Sequence, residues 1–315
     1  MQGRGNATTI DRTAGGGAVT HRRRRSWGER LSPYLWVAPA VILYGTFTIV
    51  PLLAGIYLAF LRWDGLEPAE FIGLDNFRRM LRDPKLPGAL MNNVQYAFGT
   101  VTGKIVISLG LALLLNQAMW GRAFYRTALF MPVVMSFVVV GILWTRIFNY
   151  DFGLLNTLLS AVGLEAWTQD WIGTTSTALW SLIGVDIWKW YGFHMVIFLA
   201  GLQTIPQELY EAARIDGASA FQRLRTITIP LLMPVMLVNV FVSVMGALNV
   251  FDIPFIMTQG GPSDSTNVIA LHMYQQAFAF YRFGYGAALS YVLFALVSIV
   301  AVILLAIMSR NRTEY

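Results

Sequence analysis

The chain has 315 residues, 56% of them hydrophobic and only 13% charged, with mean hydropathy of +0.55. Soluble domains carry about a quarter charged residues, so a soluble globular protein is excluded. With no cysteine, so are a disulfide scaffold, a thiol nucleophile and cysteine-ligated metal centres. The net charge of +6 is one tail: residues 1–33 hold seven arginines against Asp11 and Glu29, and the remainder is almost neutral.

In chain order, residues 1–30 read as a disordered basic tail, rich in Gly, Thr and Arg and without hydrophobic periodicity. The run Arg22-Arg23-Arg24-Arg25 lies just before a long apolar stretch, which marks a cytoplasmic topology signal rather than a nucleic-acid patch. That stretch is too long for a cleaved secretory segment, so residues 31–315 read as one membrane domain. Crossing a bilayer takes about 20 apolar residues. Six stretches qualify, at about 34–61, 93–115, 125–149, 177–202, 229–252 and 285–308. No ten-residue alternation suggests a β-barrel. The expected fold is therefore an all-α polytopic membrane protein of six transmembrane helices.

Basic residues place both termini in the cytoplasm. The inner segments carry Arg122, Arg214, Arg223, Arg225, Arg310 and Arg312 besides the tail, whereas the outer segments 150–176 and 253–284 have only Arg282. One outer segment breaks the pattern: residues 62–92 contain Arg62, Arg78, Arg79, Arg82 and Lys85, with five acids.

Between the fourth and fifth spans, residues 203–228 form a polar interruption. Pro206 followed by Gln, Glu and Leu opens a short helix, Asp216-Gly217 signals a turn, and a second short helix is expected to run to about Ile229. The product is a cytoplasmic helix–turn–helix. Glu211, Ala212, Ala213, Gly217, Ile227 and Pro230 fall at the spacings of the EAA loop, with Ile229 in place of leucine, and the segment resembles that coupling loop of ABC importer permeases. The likeness extends over nearly the whole chain after residue 31, through Phe71-Ile72-Gly73-Leu74-Asp75-Asn76-Phe77, Gly121-Arg122, Gly153-Leu154-Leu155-Asn156 and Gly260-Gly261-Pro262. It is greatest to the carbohydrate-uptake, maltose-type branch.

The resemblance implies a non-catalytic transport subunit of a bacterial inner membrane. It would pair with a second, related permease as a heterodimer, with two ATPase subunits and with an extracytoplasmic substrate-binding protein that delivers a sugar. ATP and magnesium would sit on the ATPase, and this chain would bind no cofactor, metal or nucleic acid. Consistently, it has no G-x-x-x-x-G-K-[ST] phosphate loop. Glu211 would be the ionic anchor to the ATPase, Ala212 and Ala213 the small residues allowing close approach, Arg214 a second contact, and Asp216-Gly217 the turn.

Intramembrane charges mark cavities or packed interiors. Asp186 and Lys189, three apart on the fourth span, are expected to pair along one helix face. At helical spacing Asp186, Trp190 and Phe193 share a stripe with Lys189 beside it, and on the fifth span Asn239, Ser243, Gly246 and Val250 share another with Ala247 at its margin. Aromatic rings hold the C–H faces of sugars and polar groups hold their hydroxyls, so these stripes read as a substrate path. The resemblance puts sugar-contacting positions at Lys189, Trp190, Phe193, Ser243, Gly246, Ala247 and Val250. Lys104 reads as structural, snorkelling to the outer surface. His21, His194 and His272 form no metal set. The rival readings keep the machinery but carry glycerol-3-phosphate or a polyol, or make the chain an ion-coupled secondary transporter.

Overall fold

A computed structural model describes residues 27–117 and 119–310, with side chains from residue 34 onward. The expected tail therefore lies outside the described residues except for 27–30, which are helical. Residues up to 53 and residues from 54 onward form two units, and the sites below belong to the second.

The first apolar stretch is helix α1 (Trp27–Tyr44), a wide turn over Gly45–Ile49 and α2 (Val50–Leu58). Pro51 lacks the amide hydrogen that a regular ladder needs there, and the hydrogen bonding widens to Val50 N–H on Gly45 O. A two-residue hairpin follows, β1 (Leu61–Arg62) antiparallel to β2 (Glu70–Phe71), a small departure from the all-α expectation. Helix α3 (Asp75–Leu81) leads to α4 (Leu86–Asn116), which crosses the membrane.

The third expected span is not one straight helix. It is α5 (Arg122–Val134) and α6 (Phe137–Ile147), bent by 98° between them. Pro132 removes an amide just before the break, and Ser136 caps the new helix by accepting from Val138 N–H. Helix α7 (Leu154–Ala161) precedes α8 (Ala178–Leu202), the most buried span. Helix α9 (Gln207–Ile215) is the first arm of the polar interruption. The second arm, α10 (Ala220–Arg223), is not a separate short helix. It passes through a wide turn at Leu224–Thr228 into α11 (Ile229–Leu248), so residues 220–248 are one rod. Helices α12 (Asp252–Met257), α13 (Ile269–Tyr274) and α14 (Phe283–Arg310) complete the described chain. In total five described helices are long and apolar enough to cross a membrane, six if the bent pair is one span.

Helix α8 is the axis of the packing. It lies along α4 and against α5 and α11. Gly103 of α4 permits the close approach: a Cβ there would stand 2.3 Å from Ile187 Cδ1. One apolar cluster joins Tyr96, Val140, Leu182, Ile183, Val185, Ile253, Val268 and Leu271. A second, nearer α9, joins Ala112, Leu115, Met195, Phe198, Leu202 and Leu232. Residues 253–284 do not hang outside as a loop. Asn93 Oδ1 accepts from Ile269 N–H at 2.8 Å, and Asn92 Nδ2 donates to Asn267 O at 2.8 Å, so two amides at the start of α4 fasten this segment into the bundle.

Candidate functional site

Two features are candidates for function, a cavity inside the bundle and an exposed helical hairpin at one end of it.

The cavity, about 400 Å³, lies among α4, α6, α8 and α11 and is closed on one side by Phe251, Asp252 and Ile253. Its size falls within the usual range of small-ligand sites. Of the expected path residues, Asp186, Trp190, Phe193, Ser243, Gly246 and Val250 line it. Trp190 and Phe193 meet edge to face with centroids 5.9 Å apart, giving an aromatic wall. Ser243 is 2% exposed, and its hydroxyl has no hydrogen-bond partner. An orphaned buried hydroxyl costs free energy, and a sugar hydroxyl in the cavity would satisfy it.

Three expected path residues take other roles. Asn239 is buried and meets His194 Nδ1 through its side-chain oxygen at 2.8 Å. Ala247 is buried in the apolar cluster instead of facing the cavity. Lys189 neither lines the cavity nor pairs with Asp186. Its ammonium donates to Met135 O at 2.6 Å, Val133 O at 3.3 Å and Pro132 O at 3.4 Å, the carbonyls freed where α5 breaks. It also sits over the Phe137 ring, 4.7 Å from the centroid. The physical reason is the bend: at the break the Val133 and Met135 carbonyls have no backbone amide partner, and they outcompete a carboxylate on the same helix face. Helix α8 reaches them because Gly192 has no side chain; a Cβ there would stand 2.3 Å from Leu129 O.

Asp186 pairs instead with Lys104 of α4. Lys104 is 3% exposed and Asp186 5%, so Lys104 does not snorkel outward; it is half of a buried ion pair that lines the cavity. The spacing of residues along single helices could not disclose this pair, because its partners come from different spans. The remaining lining residues that sequence reasoning left out are Phe137, His194, Val242, Asn249, Phe251, Asp252 and Ile253. Their signal was the end of the apolar run at Asn249 and Asp252.

In the hairpin, α9 ends in a two-bond cap: Ala218 N–H donates to Ala213 O at 2.9 Å and Gly217 N–H to Arg214 O at 3.1 Å. The cap needs a left-handed residue, and Gly217 has φ of +76°. Ser219 then starts the second arm with a reciprocal cap to Gln222. The hydroxyls of Tyr210 and Thr228 meet at 3.0 Å and tie α9 to the rod. Glu211, Ala212, Arg214, Asp216 and Gly217 are exposed, and Ala213 is half-buried. Two large apolar residues of the hairpin do not cover its own helices: Ile215 is 87% exposed and Phe221 68%. Large apolar side chains beside Glu211 and Arg214 on a projecting hairpin form a surface suited to a partner.

A bundle of membrane-length helices around a largely apolar cavity that holds a buried ion pair, with an exposed hairpin at one end, fits the membrane subunit of a transporter. The chain belongs to the family of binding-protein-dependent transport system inner membrane components, whose pattern matches residues 104–313. It is 37% identical over 283 residues to the sulfoquinovosyl glycerol transport system permease protein SmoG of Agrobacterium fabrum, covering 89% of this chain and 91% of that one. It is 35% identical over 268 residues to the trehalose/maltose transport system permease protein MalF of Thermococcus litoralis, covering 84% and 89%. Its fold is similar to a chain in the crystal structure of a bacterial ABC transporter that imports the acidic polysaccharide alginate, with a TM-score of 0.79, 22% identity and coverage of 91% and 98%. The protein is thus a multi-pass inner-membrane permease of the ABC importer class, not an ion-coupled secondary transporter.

Proposed function

We propose that this permease imports a sugar or short oligosaccharide, delivered by an extracytoplasmic binding protein and driven by ATP hydrolysis on two separate ATPase subunits, with a second permease completing the path. The termini and the hairpin face the cytoplasm in this reading. The single observation that carries it is that the second arm of the exposed hairpin and one wall of the cavity are the same helix. Residues 220–248 number 29, a rod of about 43 Å. Its first turns form the second arm of the ATPase-facing hairpin, tied to the first by Tyr210 and Thr228, and its last carry Ser243 and Gly246 into the cavity. A partner that pulls on Glu211 and the exposed Ile215 and Phe221 tilts the rod and changes access to the cavity.

The carbohydrate class is supported by the aromatic wall of Trp190 and Phe193 facing the unpartnered Ser243 hydroxyl, and by the two relatives named above. A cation dedicated to a phosphate is not available from Lys189, whose charge is committed to the α5 carbonyls. The test is to tag the C-terminus, solubilise native membranes gently and identify what co-purifies, then measure ATP-dependent uptake of the sugar held by the recovered binding protein. A second permease, an ATPase and uptake abolished by Glu211→Lys are expected. A chain that purifies alone from transporting membranes would overturn the proposal.

A further inference from the structure

At the hairpin end of the bundle, two cations meet with no anion between them. Gln203 caps the end of α8, four residues before α9 begins. Arg122 and Arg126 stand one turn apart at the start of α5, which packs against α8. With its side-chain oxygen facing them, Gln203 accepts from Arg122 Nη2 at 3.0 Å and from Arg126 Nη2 at 2.9 Å. Both guanidinium groups therefore converge on one neutral acceptor.

That arrangement is costly as it stands. Like charges four apart on a helix repel, and Arg122 is the first residue of α5, where the helix dipole opposes a cation. The first turn of α5 has no acid, and neither arginine has an ion pair among the described residues. Both are half-buried, and the Nε of each is buried without a hydrogen-bond partner. A guanidinium has five N–H donors in a planar fork that matches phosphate and carboxylate oxygens, so one amide oxygen leaves most of this capacity unused. The surroundings are apolar and open. Trp120, Phe124 and Tyr125 are exposed beside the pair, and the Phe124 and Tyr125 rings meet edge to face with centroids 5.8 Å apart. Exposed aromatic rings at the ends of membrane-length helices belong at the headgroup level of a bilayer.

We infer that Arg122 and Arg126 form a binding site for the phosphate group of an anionic membrane phospholipid, at the junction of α5 with the end of α8. The inference needs only a chain that spans a membrane and stands apart from the importer reading above. A phosphate supplies the negative charge and the acceptor oxygens that Gln203 lacks. A lipid is favoured over a soluble phosphate because the exposed rings of Trp120, Phe124 and Tyr125 offer apolar surface to its glycerol and acyl chains, and basic residues between helices at the membrane surface recognise acidic headgroups. Since Gln203 is the last residue of α8 before the hairpin segment, an occupied site fastens α5 to the base of the hairpin.

The probe is a bilayer of stated composition. The protein, with the subunits that accompany it, is placed in nanodiscs of equimolar phosphatidylglycerol and phosphatidylcholine, and the lipids that stay bound are counted by native mass spectrometry. One basic residue near an anionic surface is worth about fivefold in affinity. The wild type should therefore retain phosphatidylglycerol over phosphatidylcholine, and R122Q/R126Q should lower that preference about tenfold or more. R310Q, at the end of α14, should leave it unchanged. Gln203→Glu supplies the missing anion from within the chain. That variant should also lose the preference while melting no lower than the wild type in phosphatidylcholine alone, which keeps the test decisive should R122Q/R126Q fail to fold. An unchanged preference in Q203E, or an equal loss in R310Q, would overturn the inference. So would a rise in wild-type Tm with sodium phosphate in phosphatidylcholine nanodiscs that matches the rise with phosphatidylglycerol and is absent from R122Q/R126Q, since the site would then take a soluble anion. Loss of a co-purifying subunit from R122Q/R126Q with the lipid preference intact would overturn it too, and would assign the pair to a protein partner.

Discussion

The Lys104–Asp186 pair gives the sharpest test of the cavity, because its effect on stability and its effect on transport separate. The pair is almost fully buried, so Lys104→Met leaves a carboxylate without its counter-charge, and Asp186→Asn leaves an ammonium in the same position. Breaking a buried pair in this way costs about 3–5 kcal/mol, and each kcal/mol lowers Tm by about 2–4 °C in chains of some 200 residues. Each single variant should therefore melt about 10 °C lower in detergent, followed by fluorescence-detected size exclusion of the heated complex. The double variant K104M/D186N removes both charges and should melt higher than either single. Uptake behaves differently: if the Asp186 carboxylate accepts a sugar hydroxyl, the double variant remains inactive despite its recovered stability. Losses in the double variant equal to the sum of the singles would refute the pairing. Full uptake by the stable double variant would remove Asp186 from the substrate path.

Gly217→Val places a β-branched residue at φ of +76° where no atom lies within 4 Å of the new Cβ. The cost is backbone strain alone, about 1–2 kcal/mol, and the chain should insert normally while ATP-dependent uptake is lost; unchanged uptake would deny the cap its coupling role. Ser243→Ala removes a hydroxyl that has no partner to lose, so thermal stability should hold while the KM for uptake rises, whereas Asn239→Ala breaks the contact to His194 and should lower Tm by several degrees. Burial pushes the Asp83 carboxyl up, but hydrogen bonds from Tyr285, His272 and the Lys85 amide outweigh it and hold the group below its ordinary value. A carboxyl depressed by folding contributes stability that is present above its unfolded value and is lost as pH falls through its folded one. The contribution of the Asp83 carboxyl to the Tm gap between wild type and Asp83→Asn should therefore be lost only as pH falls below about 4; a gap that persisted undiminished at pH 2 would contradict the assignment.

What could be read from the sequence was what is local or periodic. Apolar length located the spans, and fixed spacing located the hairpin with its Gly217 turn, because a left-handed cap leaves its mark in a few consecutive residues. The stripes on α8 and α11 gave six of the nine path residues, since side chains sharing a helix face share a surroundings. Pairing across helices was hidden: nothing in the order of residues tells Lys104 that Asp186 faces it, or tells Lys189 that a neighbouring helix breaks beside it. The bend itself was only half legible. Pro132 marked an irregularity, but a proline inside an apolar run fits a kink as well as a 98° reversal, and which one occurs depends on whether a donor such as Lys189 reaches the freed carbonyls.

The same reasoning explains why the second arm of the hairpin runs on into the membrane. A short independent helix after Gly217 would expose its last carbonyls to the bilayer interface with Pro230 and Pro234 unable to supply amides. The chain avoids that cost by continuing the rod and taking up the misfit in one wide turn, with Thr226 and Thr228 hydroxyls donating to Gln222 O and Arg223 O at 2.8 and 3.4 Å. Those bonds keep the rod whole through the segment where prolines would weaken it. Tyr210 meets Thr228 within this wide turn, so a force on α9 would enter the rod there and not at its distant end. In the proposed mechanism a displacement there would turn the upper part of the rod, which carries Ser243 and Gly246. If the proposed coupling holds, the irregularity in the helix is the place where a push from outside the membrane becomes a change in the cavity wall.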